Sequence, residues 1–337
     1  MKRITTACVG TGYFSQFHYD AWRRIPEVEL VASVSLDIEQ ARNTGLVPFE
    51  DTAEMLQQVA PYIVDLITPP ETHLDLIKKC ALSGARTIIC QKPFCRSIGE
   101  AEEAVKICDQ HDVALIVHEN FRFQPWYRVM KNALDSNLLG DVHQMTFRLR
   151  TGDGQGPRAY LDRQPYFQKM EKFLVRETGV HWIDTFCFLF GQPRSVYADL
   201  RKLNPAIAGE DAGIFVMEFD HGKRAVFDAN RHLDHDAENC RTTLGEALLE
   251  GTKATISLSG NGEVRLRKFG SREYQILLPA GNWPGFGGDC VHALQSHVVE
   301  SIKSGGQFEN SAKDYLRVLE LEAAIYQSAE AGQKVLL

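Results

Sequence analysis

Three side chains that can exchange protons occur at helical spacing in one apolar segment. Glu177, His181 and Asp184 are separated by four and three residues, so a helix would place them on one face. Their neighbours, among them Trp182 and Ile183, are apolar, which predicts a buried helix. A polar stripe on such a helix must be paired or must serve a site. Three interpretations stay open: a structural hydrogen-bond network, a metal site, or an acid–base site in which His181 accepts a proton near neutral pH.

A lysine follows the end of a predicted strand. Residues 87–90 form a short apolar run, and Gln91, Lys92 and Pro93 come directly after it. Proline restricts its own backbone and disfavours a helical conformation at Lys92. Open α/β sheets bind their ligands at the carboxyl ends of the strands. The position therefore predicts a cation directed at the nicotinamide end of a dinucleotide, and the alternative is a surface lysine in a turn.

A glycine-rich turn near the start of the chain could hold such a dinucleotide. It follows the strand-like residues 4–9 and precedes a predicted helix over residues 16–24. Glycine allows a sharp turn and the close approach of a pyrophosphate, and the helix N-terminus offers N–H groups to it. The turn residues predicted to contact the cofactor are Gly10, Thr11, Gly12, Tyr13 and Phe14.

The ends of two further strands carry candidate cofactor contacts. A second strand over residues 28–35 ends at Ser35, and Asp37 lies two residues later. An acidic side chain there accepts hydrogen bonds from the adenosine ribose of NAD, whereas Ser35 with Arg42 nearby would tolerate NADP. NAD is favoured and NADP stays open. The third main strand, over residues 62–67, is followed by the predicted cofactor contacts Thr68, Pro69 and His73.

The elements that must position these residues fall into two groups. Up to about residue 120, strands alternate with predicted helices, which include residues 72–84 and 99–111; this alternation indicates a doubly wound parallel sheet. Beyond it, residues 173–190 are predicted as one helix, and strands, including 241–245 and 247–250, dominate as far as residue 278. His221-Gly222 and Asn261-Gly262 signal hairpins.

We therefore expect two domains. Residues 1–121 would form an NAD(P)-binding Rossmann domain of α/β class. Residues 122–337 would form an α+β domain with a large, mostly antiparallel open sheet, whose C-terminal helices, 291–304 and 312–331, pack back on the first domain. One face of that sheet is a candidate oligomer interface.

Composition excludes several classes of function. The 337 residues carry a net charge of −7, which disfavours nucleic acid as a partner. No apolar run is long enough to span a membrane, and the N-terminus resembles a strand rather than a signal peptide. Eight scattered cysteines without CxxC pairs predict buried thiols in the reducing cytoplasm and no structural metal site.

Taken in order, these segments resemble those of the glucose–fructose oxidoreductase, inositol dehydrogenase and rhizopine catabolism family over nearly the whole chain. The segments are Gly10-Thr11-Gly12, Thr68-Pro69-Pro70-Glu71-Thr72-His73, Gln91-Lys92-Pro93, Gly179-Val180-His181-Trp182-Ile183-Asp184 and the tail over residues 314–335. The resemblance implies a Rossmann domain, an open-sheet domain that mediates homodimers or homotetramers, a bound NAD or NADP, and hydride transfer to or from a sugar or polyol.

The resemblance also implies roles for single residues. Lys92 would lie near the substrate hydroxyl and the nicotinamide, and His181 would be the acid–base histidine. Its acidic partner is Glu177 where the family has Asp, and Glu177 or Asp184 would orient the imidazole. Gln91 stands where the family has Glu, and its amide can still bind a ribose hydroxyl.

Two segments rich in aromatic, amide and guanidinium groups would contact the substrate. Such groups suit a polyhydroxylated ring. The first segment would face the cleft in this family, and the second precedes the helix of His181. The predicted contacts are Asn120, also expected at the cofactor, with Arg122 and Trp126 in the first segment and Arg163 and Tyr166 in the second.

Three functions remain to be distinguished. The resemblance to the family favours an aldose 1-dehydrogenase that yields a lactone, with a branched pentose such as apiose as one substrate. An NAD-dependent glycosidase on the same scaffold is a second possibility. A non-catalytic sensor that binds the dinucleotide is a third, and the presence of Lys92 and His181 argues against it.

Overall fold

The computed structural model describes residues 3–337. Contacts within the chain divide it into two compact units. The first unit runs to Asn120 and includes Val291–Leu319, and the second comprises Phe121–Cys290 and Glu320–Leu337.

The first unit contains a six-stranded parallel sheet in the order β3-β2-β1-β4-β5-β6. Its strands are β1 (Ile4–Val9), β2 (Val28–Val34), β3 (Val47–Phe49), β4 (Ile63–Leu66), β5 (Thr87–Gln91) and β6 (Ala114–His118). The helices that follow them are α1 (Ser15–Arg23), α2 (Ile38–Asn43), α3 (Thr52–Val59), α4 (His73–Leu82) and α5 (Ile98–Gln110). The order reverses between β1 and β4, which confirms the predicted doubly wound sheet.

Short polar side chains set the starts of several of these helices. The carboxylate of Asp51 accepts a hydrogen bond from the backbone of Glu54 at the start of α3, and Ser97 accepts one from Glu100 at the start of α5. The predicted helix over residues 72–84 is divided differently: a 3-10 turn, Pro70–Thr72, precedes α4. Proline suits the first position of that turn. It has no backbone N–H, and an N–H at that position would have no hydrogen-bond partner within the helix.

The second unit contains a nine-stranded sheet in the order β14-β13-β12-β11-β7-β10-β9-β8-β15. Its strands are β7 (Val142–Leu149), β8 (Ser195–Arg201), β9 (Ala212–Glu218), β10 (Arg224–Asn230), β11 (Gly245–Gly251), β12 (Ala254–Leu258), β13 (Val264–Lys268), β14 (Tyr274–Leu278) and β15 (Val335–Leu336). Strands β7 and β10 run parallel and the other described neighbours run antiparallel, which confirms a mostly antiparallel sheet.

Turn chemistry explains where this sheet agrees with the sequence and where it does not. His221 and Gly222 have φ values of 60° and 74° between β9 and β10, as the predicted hairpin requires. The predicted strand over residues 241–245 is wrong, because the backbone N–H of Arg241 donates to the side chain of Asn239 in a turn. Leu244 then adopts a φ of 62°, which no extended strand contains, and β11 begins only at Gly245.

The segment predicted as one helix over residues 173–190 has two parts. Residues Leu174–Gly179 form a π-helical segment, and residues Val180–Phe190 form helix α7. Helix α6 (Pro125–Asp135) lies earlier in the sequence. The carboxylate of Glu210 accepts hydrogen bonds from the backbone of Phe173 and Val175, at 3.2 and 3.1 Å, at the start of the π-helical segment. The regular α-helical spacing assumed for Glu177 is therefore wrong, since Glu177 lies in the wider turn.

Aromatic side chains fill the core beneath α7. The ring of Trp182 stacks on Phe147 at 4.2 Å between centroids, and Phe215 stacks on Phe227 at 4.7 Å. All four side chains are buried. This packing holds one face of α7 against the sheet of its own unit.

Two long helices complete the chain. Helix α8 covers Cys290–Ser304 and helix α9 covers Ala312–Ala331. The boundary between the two units falls within α9, after Leu319. Within residues 3–337, no helix combines the length and the apolar composition that crossing a membrane would require.

Candidate functional site

The glycine turn of the first unit has the shape of a phosphate cradle. Gly10 has a φ of 114°, and a Cβ at this position would lie 2.5 Å from the carbonyl oxygen of Ile67. A Cβ at Gly12 would meet no atom within 4 Å, so the backbone is open on that side. Helix α1 follows with no acidic residue in its first turn and no side-chain cap from Phe14. A pyrophosphate fits this turn, because the first turn of the helix holds no acidic side chain and the backbone at Gly12 is open.

The predicted ribose contacts form a hydrogen-bonded group beside this turn. Thr11 Oγ1 lies 2.8 Å from Ser35 Oγ and donates to Gln40 Oε1 at 2.8 Å. Gln40 Nε2 in turn donates to Asp37 Oδ2 at 3.0 Å. Asp37 also caps α2, where Oδ1 accepts from the backbone of Glu39 at 3.1 Å. The carboxylate predicted to bind the ribose is exposed and held in place by Gln40, which the sequence did not identify.

Arg42, whose charge left NADP open, forms an ion pair with Glu39 on the exposed side of α2. Tyr13 and Phe14 extend the turn before α1, and Tyr13 is 41% exposed. The ring of Tyr13 lies edge-on to Phe17, with 6.3 Å between centroids.

A buried histidine is hydrogen-bonded to the loop that follows β4. His73 is fully buried, and its Nε2 donates to the carbonyl oxygen of Thr68 at 2.7 Å. Thr68 Oγ1 also accepts a hydrogen bond from Thr72, and Pro69 lies between the two. Burial lowers the pKa of His73 from 6.5 to about 4, so the imidazole is neutral at neutral pH. Direct contact of His73 with a cofactor disagrees with its burial; the side chain shapes the loop instead.

At the end of β5, the Gln91 side chain turns inward beneath Lys92. Gln91 Oε1 accepts a hydrogen bond from the backbone N–H of Lys92 at 2.7 Å, and Gln91 Nε2 lies 3.1 Å from His18 Nε2. Both ends of the amide are thus engaged within the unit, whereas a ribose contact was expected. Lys92 itself is half-buried, and its peptide bond to Pro93 is cis.

Asn120 stands at the end of the first unit and is buried. Its Nδ2 has no hydrogen-bond partner among the described residues. A buried donor of this kind costs free energy unless a ligand accepts from it. Asn120 therefore fits the predicted contact with a bound cofactor or substrate.

Two residues that the sequence analysis missed lie beneath these contacts. His18 in α1 and Asp65 in β4 are fully buried, and His18 Nδ1 lies 2.8 Å from Asp65 Oδ2. The same oxygen accepts a hydrogen bond from Trp22 Nε1 at 2.7 Å. One signal was available: Asp65 is a lone carboxylate in the apolar run Ile63–Leu66, where only a paired charge is tolerated.

In the second unit, His181 is held by its neighbours. Its imidazole stacks on the ring of Phe121, with 3.8 Å between centroids and 3° between planes. The side chain of Thr185 donates to the backbone oxygen of His181 at 2.7 Å, in the first turn of α7. The side chain is buried, with 6% of its surface exposed, so its orientation is well determined by packing.

Asp184 and Arg122 form a two-pronged ion pair. Arg122 Nε donates to Asp184 Oδ2 at 2.8 Å, and Arg122 Nη2 donates to Oδ1. Asp184 is fully buried and Arg122 is largely so. The guanidinium predicted to bind substrate thus neutralises a buried carboxylate, and it lies 5.4 Å from the ring centroid of Phe188.

Glu177 lies in a second charged cluster around Arg231. Glu177 Oε2 accepts a hydrogen bond from Thr178 at 2.6 Å and lies 3.9 Å from Arg231 Nη1. Arg231 is buried and also donates to Thr178 Oγ1, at 2.7 Å. Although burial opposes its charge, the carboxylate of Asp153 raises the pKa of Arg231, with further contributions from Tyr160 and Glu177.

The remaining predicted substrate contacts differ in exposure. Arg163 Nη2 donates to Asp153 Oδ2 at 3.0 Å, and Tyr166 is 54% exposed. Trp126 is fully buried, and its Nε1 donates to Gln124 Oε1 at 2.8 Å. A substrate contact from Trp126 disagrees with that burial, because an aromatic ring in the core has no surface to offer.

No three His, Cys, Asp or Glu side chains within residues 3–337 are arranged to hold a metal ion. Near His181, the carboxylates of Glu177 and Asp184 each take part in the arginine contacts described above.

Comparison with known proteins identifies the family. Residues 4–119 match the model of an oxidoreductase family with an NAD-binding Rossmann fold, and residues 127–257 match the GFO/IDH/MocA C-terminal domain. The chain belongs to the GFO/IDH/MocA oxidoreductase family. This family member is therefore an oxidoreductase whose first unit is an NAD-binding Rossmann domain.

Relatives of this GFO/IDH/MocA oxidoreductase cover nearly its whole length. A D-apiose dehydrogenase of Paraburkholderia graminis is 31% identical over 99% of this chain and 90% of its own. A D-apiose dehydrogenase of Rhizobium rhizogenes is 28% identical over 99% of this chain and 98% of its own. The crystal structure of an oxidoreductase from Agrobacterium radiobacter in complex with NAD+, L-tartaric acid and magnesium is 26% identical. It has a TM-score of 0.89 and covers 99% of this chain and 98% of its own.

Proposed function

We propose that the protein is an NAD-dependent sugar or polyol dehydrogenase, and that an aldose, oxidised at its anomeric carbon to a lactone, is its substrate. The observation that carries the proposal is the cradle at Gly10 and Gly12, in which a Cβ is excluded on one side and the other side is open. The substrate class rests on the two relatives named D-apiose dehydrogenase, which align with 99% of this chain. We therefore propose D-apiose, a branched pentose, as the first substrate to test.

The residues that would hold NAD are those of the first unit. Gly10 and Gly12 would lie against the pyrophosphate. Asp37 would accept a hydrogen bond from the adenosine ribose, and the buried Asn120 Nδ2 would donate a hydrogen bond to the cofactor. When bound, the nicotinamide supplies an acceptor for the hydride that leaves the substrate carbon.

The side chains of this chain would manage the proton and the charge on the substrate oxygen. In the oxidative direction, the imidazole of His181 accepts the hydroxyl proton as the C–O bond becomes a carbonyl. The ammonium group of Lys92 donates a hydrogen bond to that oxygen and stabilises the negative charge that develops on it. Phe121 fixes the ring plane of His181, so the nitrogen that takes the proton keeps one direction.

The Arg231 cluster gives Glu177 a specific part in this scheme. Arg231 forms an ion pair with Glu177 and donates a hydrogen bond to Thr178, which lies two residues before helix α7 begins. We propose that this pairing holds the π-helical segment in register, so that His181 follows at a fixed position in the first turn of α7. Asp184 would support the same turn through its ion pair with Arg122.

The experiment is a screen of pentoses, hexoses and polyols with NAD and NADP, followed by the absorbance of the reduced cofactor. Lys92→Ala and His181→Ala should each lower kcat by about 10²- to 10⁴-fold while calorimetry shows that NAD still binds. Lys79→Ala and His111→Ala are matched controls, since both side chains lie on exposed parts of the first unit. Full activity in either site variant would remove that residue from the reaction. Cleavage of aryl glycosides without net reduced NAD would select the glycosidase instead.

The open face of the nine-stranded sheet supports a homo-oligomer. The paired residues Tyr197, Val216, Val226, Thr146 and Leu248 form one row across five adjacent strands. All five are at least partly exposed, with Tyr197 at 43% and Leu248 at 38%. We propose that this row, which is apolar apart from the hydroxyl groups of Tyr197 and Thr146, is covered in a homodimer or homotetramer, because apolar surface of this length is costly to leave in water. Light scattering, which measures the mass in solution, tests this. The parent protein should have the mass of an oligomer, and Val216→Lys should have a lower mass.

We also propose that the reaction takes place in the cytoplasm. None of the eight cysteines, all of which lie within the described residues, forms a disulfide. Thiols persist in reducing compartments.

A further inference from the structure

A chain of buried polar side chains runs through the first unit to the backbone of Lys92. Asp65 and His18 have no exposed side-chain surface and lie 2.8 Å apart. His18 Nε2 lies 3.1 Å from Gln91 Nε2, and Gln91 Oε1 lies 2.7 Å from the backbone nitrogen of Lys92. Apolar residues would fill this interior at lower cost, so the buried ionisable pair needs a reason.

The direction of every hydrogen bond in this chain follows from its last member. The backbone N–H of Lys92 can only donate, so the atom of Gln91 that faces it must be the amide oxygen. The amide nitrogen of Gln91 therefore faces His18 Nε2 with a hydrogen to donate. His18 Nε2 must accept, so it carries no hydrogen, and the ring hydrogen sits on Nδ1, which donates to Asp65 Oδ2.

Neighbouring side chains hold this pair rigidly. The ring of His118 in β6 packs on that of His18, with 4.1 Å between centroids. Asp65 Oδ2 also accepts from Trp22 Nε1 at 2.7 Å and from Gln295 Nε2 in α8 at 3.4 Å. The carboxylate thus meets donors from both α1 and α8, and the imidazole cannot rotate without breaking contacts on each side.

We propose that Asp65 and His18 are positioning residues for Lys92. Asp65 selects the tautomer of His18, His18 Nε2 orients the Gln91 amide, and the amide oxygen fixes the backbone of Lys92 at the end of β5. This inference rests on the proposed function, in which the Lys92 ammonium group acts on the substrate hydroxyl. It also explains how Gln91 serves where the resemblance leads one to expect Glu: an amide provides both the acceptor for Lys92 and the donor for a neutral histidine.

The activity test uses His18→Leu and Gln91→Leu. Each removes one link while the Lys92 side chain stays, so kcat should fall by about 10²-fold, with KM for NAD and sugar changed by less than about 3-fold. Hydrogen exchange of the Lys92 amide should become faster in both variants, and this can be measured without cofactor. Cys80→Ala is the matched control, because Cys80 is fully buried in α4 of the same unit and belongs to no part of the chain of contacts. It should lower stability and leave kcat unchanged.

The conservative variant Gln91→Glu distinguishes the proposed positioning role from a merely structural one, because it should change which nitrogen atoms of His18 carry hydrogen. A carboxylate can accept from the Lys92 N–H but has no hydrogen to donate, so His18 Nε2 must acquire one. Nitrogen NMR of histidine-labelled protein without cofactor should show a bare Nε2 on His18 in the parent protein and a protonated Nε2 in Gln91→Glu. The variant should keep kcat within about 10-fold of the parent, well above Gln91→Leu.

Two results would overturn the inference: a hydrogen on His18 Nε2 in the parent protein, or parental kcat in both leucine variants. The first is measured on the parent protein and so remains decisive if a variant fails to fold. Full activity of Lys92→Ala would instead refute the proposed function, and the two failures are therefore distinguishable.

Discussion

Acidification should destabilise the protein through His73. The buried imidazole has a pKa of about 4 in the fold, against 6.5 in the unfolded chain. Between these values the unfolded chain binds a proton at His73 that the folded chain does not. The free energy of unfolding is therefore fully retained above pH 6.5 and falls as the pH is lowered toward 4. At 1.36 kcal/mol for each pKa unit, the loss from this one group is roughly 3 kcal/mol.

The assay is urea unfolding at several pH values across this window, for the parent protein and His73→Gln. Glutamine keeps an N–H that can donate to the Thr68 carbonyl oxygen but cannot titrate, so its free energy of unfolding should depend less steeply on pH. His111→Gln replaces an exposed histidine of the same unit and is the matched control. If the curves for His73→Gln and the parent run parallel from pH 7 to about pH 4, burial of a neutral His73 is not what makes the fold sensitive to acid.

Three further perturbations address other parts of the molecule. Arg122→Met should lower the free energy of unfolding by about 3–5 kcal/mol, because it removes the guanidinium group that pairs with the buried carboxylate of Asp184. The double variant Arg122→Met/Asp184→Leu should recover most of that loss in the same urea titration, and failure to recover would show that the arginine stabilises by packing alone. Gly10→Ala should abolish NAD binding in calorimetry, since its Cβ would lie 2.5 Å from a carbonyl oxygen, while Gly12→Ala should fold normally and bind NAD more weakly, since its Cβ would enter the open space proposed for the pyrophosphate; parental NAD affinity in both variants would refute the cradle. Asp37→Ala should cost about 0.5–2 kcal/mol through the lost cap of α2 and should raise kcat/KM with NADP relative to NAD. An unchanged cofactor ratio would remove Asp37 from ribose recognition.

Local patterns in the sequence carried much of the architecture. The strand–turn–helix signature at Gly10 and Gly12 and the alternation that follows it are sufficient to predict the parallel sheet. The hairpin at His221-Gly222 follows from turn chemistry alone, because only a few residue types tolerate a positive φ. These features depend on neighbours within a few residues, so a single sequence contains the information.

Features set by distant residues could not be read in this way. The irregular start of the helix before His181 depends on Glu210, which takes up backbone N–H groups of residues 173 and 175 from far along the chain. The 3.6-residue pattern of polar and apolar positions therefore indicates an α-helix where a wider turn forms. The strand predicted over residues 241–245 fails for a local reason instead, because Asn239, two positions before Arg241, accepts from its backbone N–H and closes a turn there.

The sequence by itself determined which residue types are available for chemistry and the order of the elements that carry them, because helix and strand periodicity and glycine turns are local properties. Only the tertiary structure decided what each polar group does. Arg122 binds Asp184, 62 positions away, and Asp65 reaches His18 across 47 positions. A buried charge takes whichever partner packing brings to it, and this choice is made in three dimensions, where sequence spacing has no bearing.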